Sequence, residues 1–173
     1  MNRYMKRITF VLISFVAFSL LPGCMGYRLG NGLPEGIETV ALDPVINRSG
    51  EPAIELEVAR ALREAIQFDG RLKLVDEPAR ADGIIAVTLT AYDLVPIAFQ
   101  DENHTTPQLY RLRITGMAAL RKVDAEEAVS TSETYGEAIF PFQSDLTSAK
   151  RDALPSAAAE IARYMIDDLI EPW

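Results

Sequence analysis

The chain has 173 residues, 49% of them hydrophobic and 24% charged, with 17 Lys and Arg against 25 Asp and Glu for a net charge of −8. That length suits a single domain able to bury a core, and the acidity excludes a broad nucleic-acid surface, which a body of the same sign would repel. One cysteine and one histidine exclude a disulfide framework within the chain and leave little for thiol or imidazole chemistry.

At the N-terminus, Arg3, Lys6 and Arg7 precede an uncharged run from Ile8 to Leu21, and Leu21-Pro22-Gly23-Cys24 closes it. A basic start, an apolar middle and a small residue before the cut are the parts of a secretory signal. The run falls short of the roughly 20 apolar residues of an ordinary membrane span. Its last four residues read as a lipobox. Residues 1–23 are therefore expected to be a lipoprotein signal peptide, with Cys24 as the lipidated first residue of the mature chain. Two or three acyl chains anchor stably where one does not. Met25 stands where an aspartate would retain an enteric lipoprotein in the inner membrane, so a periplasm-facing position on the outer membrane is expected. Residues 24–36 form a glycine-rich, lipidated arm or linker. No strand precedes those glycines and no helix follows them, which excludes a phosphate-cradling loop.

A single domain is expected over residues 37–173. Ile37 to Leu42 has the composition of a first strand, stopped by Asp43-Pro44, with a loop at Asn47-Arg48-Ser49-Gly50. Pro52 suits a first helical turn, and Glu51, Glu55 and Glu57 suit the positive end of the helix dipole. Ile54, Val58, Ala61, Leu62, Ala65 and Ile66 recur at helical spacing, and Asp69-Gly70 provides the stop. Leu72 to Val75 predicts a short strand, followed by a charged turn to Asp82. From Gly83 to Leu94 the chain alternates with period two: Ile85, Val87, Leu89 and Ala91 on one face, Thr88, Thr90 and Tyr92 on the other. Residues 95–107 break this pattern. Tyr110 to Val123 resumes it, with Tyr110, Leu112 and Ile114 opposed to Arg111, Arg113 and Thr115, and with Gly116 as a candidate bulge. Ala128 to Phe140 reads as a last, more polar strand. An alanine-rich helix from about Thr147 to Ile170 closes the chain, with Asp145 as its cap and Pro155 forcing either a kink or a later start.

This order, β-α-β-β-β-β-α, predicts an α+β two-layer sandwich. Both helices bury their stripes on one face of a mainly antiparallel sheet of four to five strands. The opposite face then carries Thr88, Thr90, Tyr92, Arg111 and Arg113 as the candidate ligand or partner surface. Arg111 and Arg113 stand about 7 Å apart at two residues of strand rise, a spacing suited to forked hydrogen bonds with phosphates or carboxylates. The plainer reading is that they solubilise an exposed face, paired with neighbouring carboxylates.

An active site finds little support. His104 is alone in a loop beside Asp101 and Glu102. No cluster offers the three or four ligands that zinc requires, and Glu126-Glu127 and Asp167-Asp168 are adjacent pairs whose side chains diverge. No catalytic residue, metal or cofactor is expected, and the chain reads as a non-enzyme.

Several motifs resemble the lipopolysaccharide-assembly lipoprotein family LptE: Gly26-Tyr27-Arg28-Leu29 close behind the cysteine, Leu33-Pro34-Glu35-Gly36-Ile37 entering the first strand, and Asn47-Arg48-Ser49 before the helix. Leu72-Lys73-Leu74-Val75, Ala81-Asp82-Gly83 and the alanine-rich C-terminal helix also match. Met25 departs from the pattern, in which glycine follows the cysteine directly. The resemblance implies an outer-membrane lipoprotein that assists assembly of the β-barrel translocon LptD and plugs it, and that helps deliver lipopolysaccharide to the cell surface. On this reading Arg111 and Arg113 contact lipopolysaccharide phosphates or acidic groups of the barrel. A rival resemblance runs from Thr39 to Asn47 (Thr-Val-Ala-Leu-Asp-Pro-Val-Ile-Asn). It is similar to the opening of the penicillin-binding-protein activator LpoB and of the TolB amino-terminal domain, and implies a protein activator of cell-wall synthesis.

Overall fold

The computed structural model of the protein describes residues 34, 36–100, 106–142 and 145–171. The signal peptide, Cys24, most of the arm and His104 lie outside the described residues. The elements in chain order are β1 (Thr39–Leu42), β2 (Ile46–Asn47), α1 (Ile54–Asp69), β3 (Lys73–Leu74), a 3₁₀ turn (Pro78–Arg80), β4 (Gly83–Phe99), β5 (Pro107–Lys122), β6 (Ala128–Pro141) and α2 (Leu146–Ile170).

The expected α+β sandwich is what forms, with a mixed sheet of six strands in the order β3-β1-β4-β5-β6 and β2 beside β4. β4, β5 and β6 make the antiparallel meander. β1 pairs parallel with both β3 and β4, and β2 parallel with β4. Parallel neighbours need a crossover, and α1 supplies it between β2 and β3.

Both helices turn their apolar stripes to the same side of the sheet. Ile54, Val58, Leu62 and Ile66 of α1 and Ala157, Ile161, Met165 and Leu169 of α2 share one core with Ile85, Val87, Leu89, Leu112, Ile114 and Leu120. Two glycines set how closely the layers approach. A Cβ on Gly136 would fall inside van der Waals distance of the Ala157 carbonyl and the Ile161 amide, so α2 lies directly on β6 there. At Gly116 a Cβ would meet Met165 Cε at 2.9 Å and the Thr88 carbonyl oxygen at 3.0 Å.

The helix ends follow local chemistry. Asp145 caps α2, accepting hydrogen bonds from the Thr147 and Ser148 amides, as its position before the helix predicts. Gly70 ends α1 in the left-handed conformation at φ 72°, which costs glycine no Cβ clash. α1 begins two residues after Pro52, because Ala53 itself is left-handed at φ 65°. α2 runs unbroken through Pro155, so its start is not displaced to the proline.

β4 and β5 reach further than the alternation predicts, to Phe99 and back from Pro107. Register shifts fall between Leu89 and Ala91 and on both sides of Ala98, and these hide the strand from a strict period-two reading. Pro96 is tolerated because it stands opposite Tyr110, on a stretch of β4 that has passed the end of β2. Its missing N–H falls on the outer edge of the sheet, where proline is admitted.

Candidate partner-binding face

The face of the sheet turned away from the helices carries most of the residues singled out from the sequence. Arg111 and Arg113 lie on it, flanked by Val95 and Asp93 on β4 and by Ile139 and Glu137 on β6. Both guanidinium groups converge on one carboxylate. Arg113 Nε donates to Glu137 Oε1 at 2.6 Å, and Arg111 Nη1 approaches the same oxygen at 3.6 Å. Arg113 also lies over the Tyr135 ring, 4.4 Å from its centroid, a cation–π contact. The hydrogen bond that Arg113 donates to Glu137, then the charge of that carboxylate, holds the guanidinium above its ordinary pKa. The arginine pair is thus tied into the sheet by a shared counter-ion, which an incoming anion must displace or supplement.

Thr88 and Thr90 also lie along this side. Thr88 stands between Met117 and Ile46, and the Thr90 hydroxyl donates to the Thr115 carbonyl at 3.3 Å. Around the charged centre Ile46, Val95, Met117, Val129, Tyr135 and Ile139 are substantially open to solvent, interspersed with the exposed Thr90, Asp93, Thr131 and Glu133. The arginines are thus paired with a neighbouring carboxylate, as the plainer reading expects, within a face of mixed polarity.

Tyr92 does not belong to it. Thr90 is an extra residue between Leu89, opposite Gly116, and Ala91, opposite Thr115. One inserted residue inverts the alternation of everything after it. Tyr92 is therefore opposite Ile114, which is fully buried, and it packs against the core. Burial, then the Glu51 carboxylate, pushes its hydroxyl up to about 12. Lys150 pairs with Glu51 at 2.7 Å and stands 5.7 Å from the Tyr92 ring centroid, closing a pocket at the start of both helices that Ile54 and Thr147 also line.

The sequence reading passed over Glu137 and Tyr135, although period two in β6 puts Glu133, Tyr135, Glu137 and Ile139 on one face. It also missed the ties between β6 and α2. The Ser130 hydroxyl donates to the Leu169 carbonyl at 2.7 Å, the Ser132 hydroxyl to Asp168 Oδ2 at 2.7 Å, and the Glu137 amide to Glu160 Oε2 at 2.6 Å. Elsewhere, an apolar groove of about 550 Å³ runs between the helices over Ala61, Ala65, Phe68, Ala159 and Ile166. Among the described residues no three His, Cys, Asp or Glu side chains gather as a metal site.

Comparison with known proteins adds the following. The model of the family LptE, described as lipopolysaccharide-assembly, matches residues 37–169. No curated protein sequence matches the chain. Among solved structures, a candidate lipoprotein of Caulobacter crescentus CB15 superposes with a TM-score of 0.51 at 14% identity, covering 73% of this chain and 88% of that one. Protein XCC0632 of Xanthomonas campestris gives 0.50 at 12% identity, over 79% of this chain and 88% of that one. An uncharacterized lipoprotein B of Nitrosomonas europaea is 21% identical over 80% of this chain and 89% of its own, with a TM-score of 0.48. At these identities the first two are similar in fold.

Proposed function

The chain belongs to the LptE family of lipopolysaccharide-assembly proteins, and on that premise we propose that it is an outer-membrane lipoprotein that assists assembly of an LptD-type β-barrel translocon and plugs its lumen. The work is non-covalent: acyl chains on Cys24 hold the protein to the inner leaflet of the outer membrane, and the folded body engages the barrel wall or the exported lipopolysaccharide. The single observation that supports this beyond the family is the open sheet face. It is backed on its other side by two helices, and it combines exposed apolar side chains with the Arg111–Glu137–Arg113 centre.

The charge balance also fits. A chain of net charge −8 would attract polyphosphorylated lipid only locally, so this is a fitted partner surface rather than a general sink for lipopolysaccharide. The deciding experiment is affinity purification of the lipidated protein from membranes. Co-purification of a large outer-membrane β-barrel is the expected result, together with a diacylglycerol thioether on Cys24 by mass analysis. A penicillin-binding protein in its place would transfer the protein to the cell-wall-activator reading.

A further inference from the structure

The outer edge of β6 is the longest unpaired strand edge among the described residues: β6 ends the strand order, and it runs from Ala128 to Pro141. The hydrogen-bond parity identifies its free groups. The Phe142 amide donates to the Gln108 carbonyl of the β5 side, so even-numbered residues of β6 face β5 and odd-numbered ones face outward. Thr131, Glu133, Tyr135 and Ile139 are exposed at these outward positions. Long edges of this kind are usually blunted by lysine, proline or a covering element. β6 has no lysine, and its one proline is its last residue.

One outward amide is already occupied. Glu137 N donates to Glu160 Oε2 of α2 at 2.6 Å, so a carboxylate oxygen stands where the carbonyl of an added strand would stand. The same flank of α2 presents Asp168, bonded to Ser132, and Asp152, which with Ala149, Ala153 and Ser156 borders a groove against Ile139, Phe140 and Pro141 of β6. The edge is thus bordered by Asp152, Glu160 and Asp168 on the helix side, while Val129, Tyr135 and Ile139 lie on the open side.

From this arrangement we infer that β6 accepts an added strand from a partner segment whose residues alternate basic and apolar. Its backbone pairs with the odd-numbered residues of β6, its basic side chains turn to the α2 carboxylates, and its apolar side chains extend the open face. A second copy of this chain is disfavoured, because antiparallel β6 edges centred on Tyr135 would set Glu133 of each against Glu137 of the other. The inference stands independently of the barrel reading.

The test uses the full chain in non-ionic detergent and a decapeptide of alternating lysine and valine. Two comparison peptides replace valine by proline, which keeps the charge and abolishes strand pairing, or lysine by glutamate. The lysine–valine peptide is expected to bind at least about tenfold more tightly than either, and to slow amide hydrogen exchange over residues 131–139 by about the same factor. Glu133→Pro removes an outward N–H without touching the β5 ladder, and is expected to weaken binding about tenfold with an unchanged circular dichroism spectrum. Equal binding of the lysine–proline peptide, no binding of the lysine–valine peptide, or unchanged exchange over residues 131–139 would overturn the proposal. The exchange measurement on the unaltered protein decides the matter if the Glu133→Pro chain does not fold.

Discussion

Gly136 and Gly116 are both glycines on the helix side of the sheet, yet they carry different burdens. At Gly136 the obstacle is the backbone of α2 itself, which cannot yield without lifting the helix off β6. At Gly116 the nearest atom is the flexible end of Met165, with one strand carbonyl behind it. Gly136→Ala is accordingly expected to cost about 3 kcal/mol or more and Gly116→Ala about 1 kcal/mol, within the range of overpacking penalties. Urea unfolding of the two variants checks both the values and the order, and equal losses would disprove the close contact at Gly136. A second expectation at this scale concerns acid. Asp82 accepts the Thr39 hydroxyl and the Glu38 and Thr39 amides, and these bonds, the Thr39 hydroxyl first, hold its carboxyl below the ordinary range. A carboxylate depressed in the folded state contributes stability above its unfolded value of about 3.9 and loses it as pH falls through the lower folded value. Asp69, lowered chiefly by Arg71, and Asp145, lowered chiefly by the Ser148 hydroxyl, act in the same direction. The urea midpoint should therefore fall below about pH 4, and Asp82→Asn should lower it at neutral pH while flattening the acid limb.

Pro155 sits on the exposed side of α2 and denies the helix one amide-to-carbonyl bond, the partner of Arg151. Pro155→Ala restores that bond and removes the ring's push on the preceding turn, a gain of up to about 3 kcal/mol. The unfolded chain also becomes freer, which takes back about 0.4–1 kcal/mol. A net stabilisation of about 1–2 kcal/mol by thermal unfolding is expected from these two terms, and a loss would mean that the proline shapes α2 in a way that the core requires. How far such elements could be read beforehand depended on whether one period governed them. α1, the apolar face of β5 and the alanine stripe of α2 each keep one spacing throughout, and all were legible. β2, at two residues, is too short to show any period, while β3, equally short, was legible from the composition of Leu72 to Val75. The distal half of β4 was hidden by the residue inserted at Thr90, which also sent Tyr92 to the wrong face. Arg111 and Arg113 were placed correctly because β5 has no insertion between them and the core positions Leu112 and Ile114. Their shared partner Glu137 was not foreseen, since pairing across strands depends on register and not on the period of either strand.

For the molecule as a whole, the open face gives the barrel-plug reading its sharpest test. Replacing Arg111 and Arg113 together by glutamate leaves four acidic groups, with Glu137 and Asp93, where there are now two. Recovery of the co-purifying barrel should fall about tenfold or more, as expected when close charge pairs at an interface are reversed. The thermal midpoint should move far less, because half-exposed ion pairs contribute little to folding. Undiminished recovery would remove both arginines from the contact surface. The two proposed surfaces, open face and β6 edge, meet at Tyr135 and Ile139, but the charge reversal does not touch the outward backbone of β6.

The residue inserted at Thr90 also bears on how relatives of this chain are compared. Up to Leu89 the odd-numbered positions of β4 belong to the core, while beyond it the even-numbered ones, Tyr92 and Leu94, do. β5 changes nothing along its length. A related chain lacking that one residue could keep the same interior only by exchanging polar for apolar at every position in the far half of β4. An aligner that slides a gap elsewhere in the strand would therefore equate solvent positions with interior ones, and would do so while reporting a respectable score.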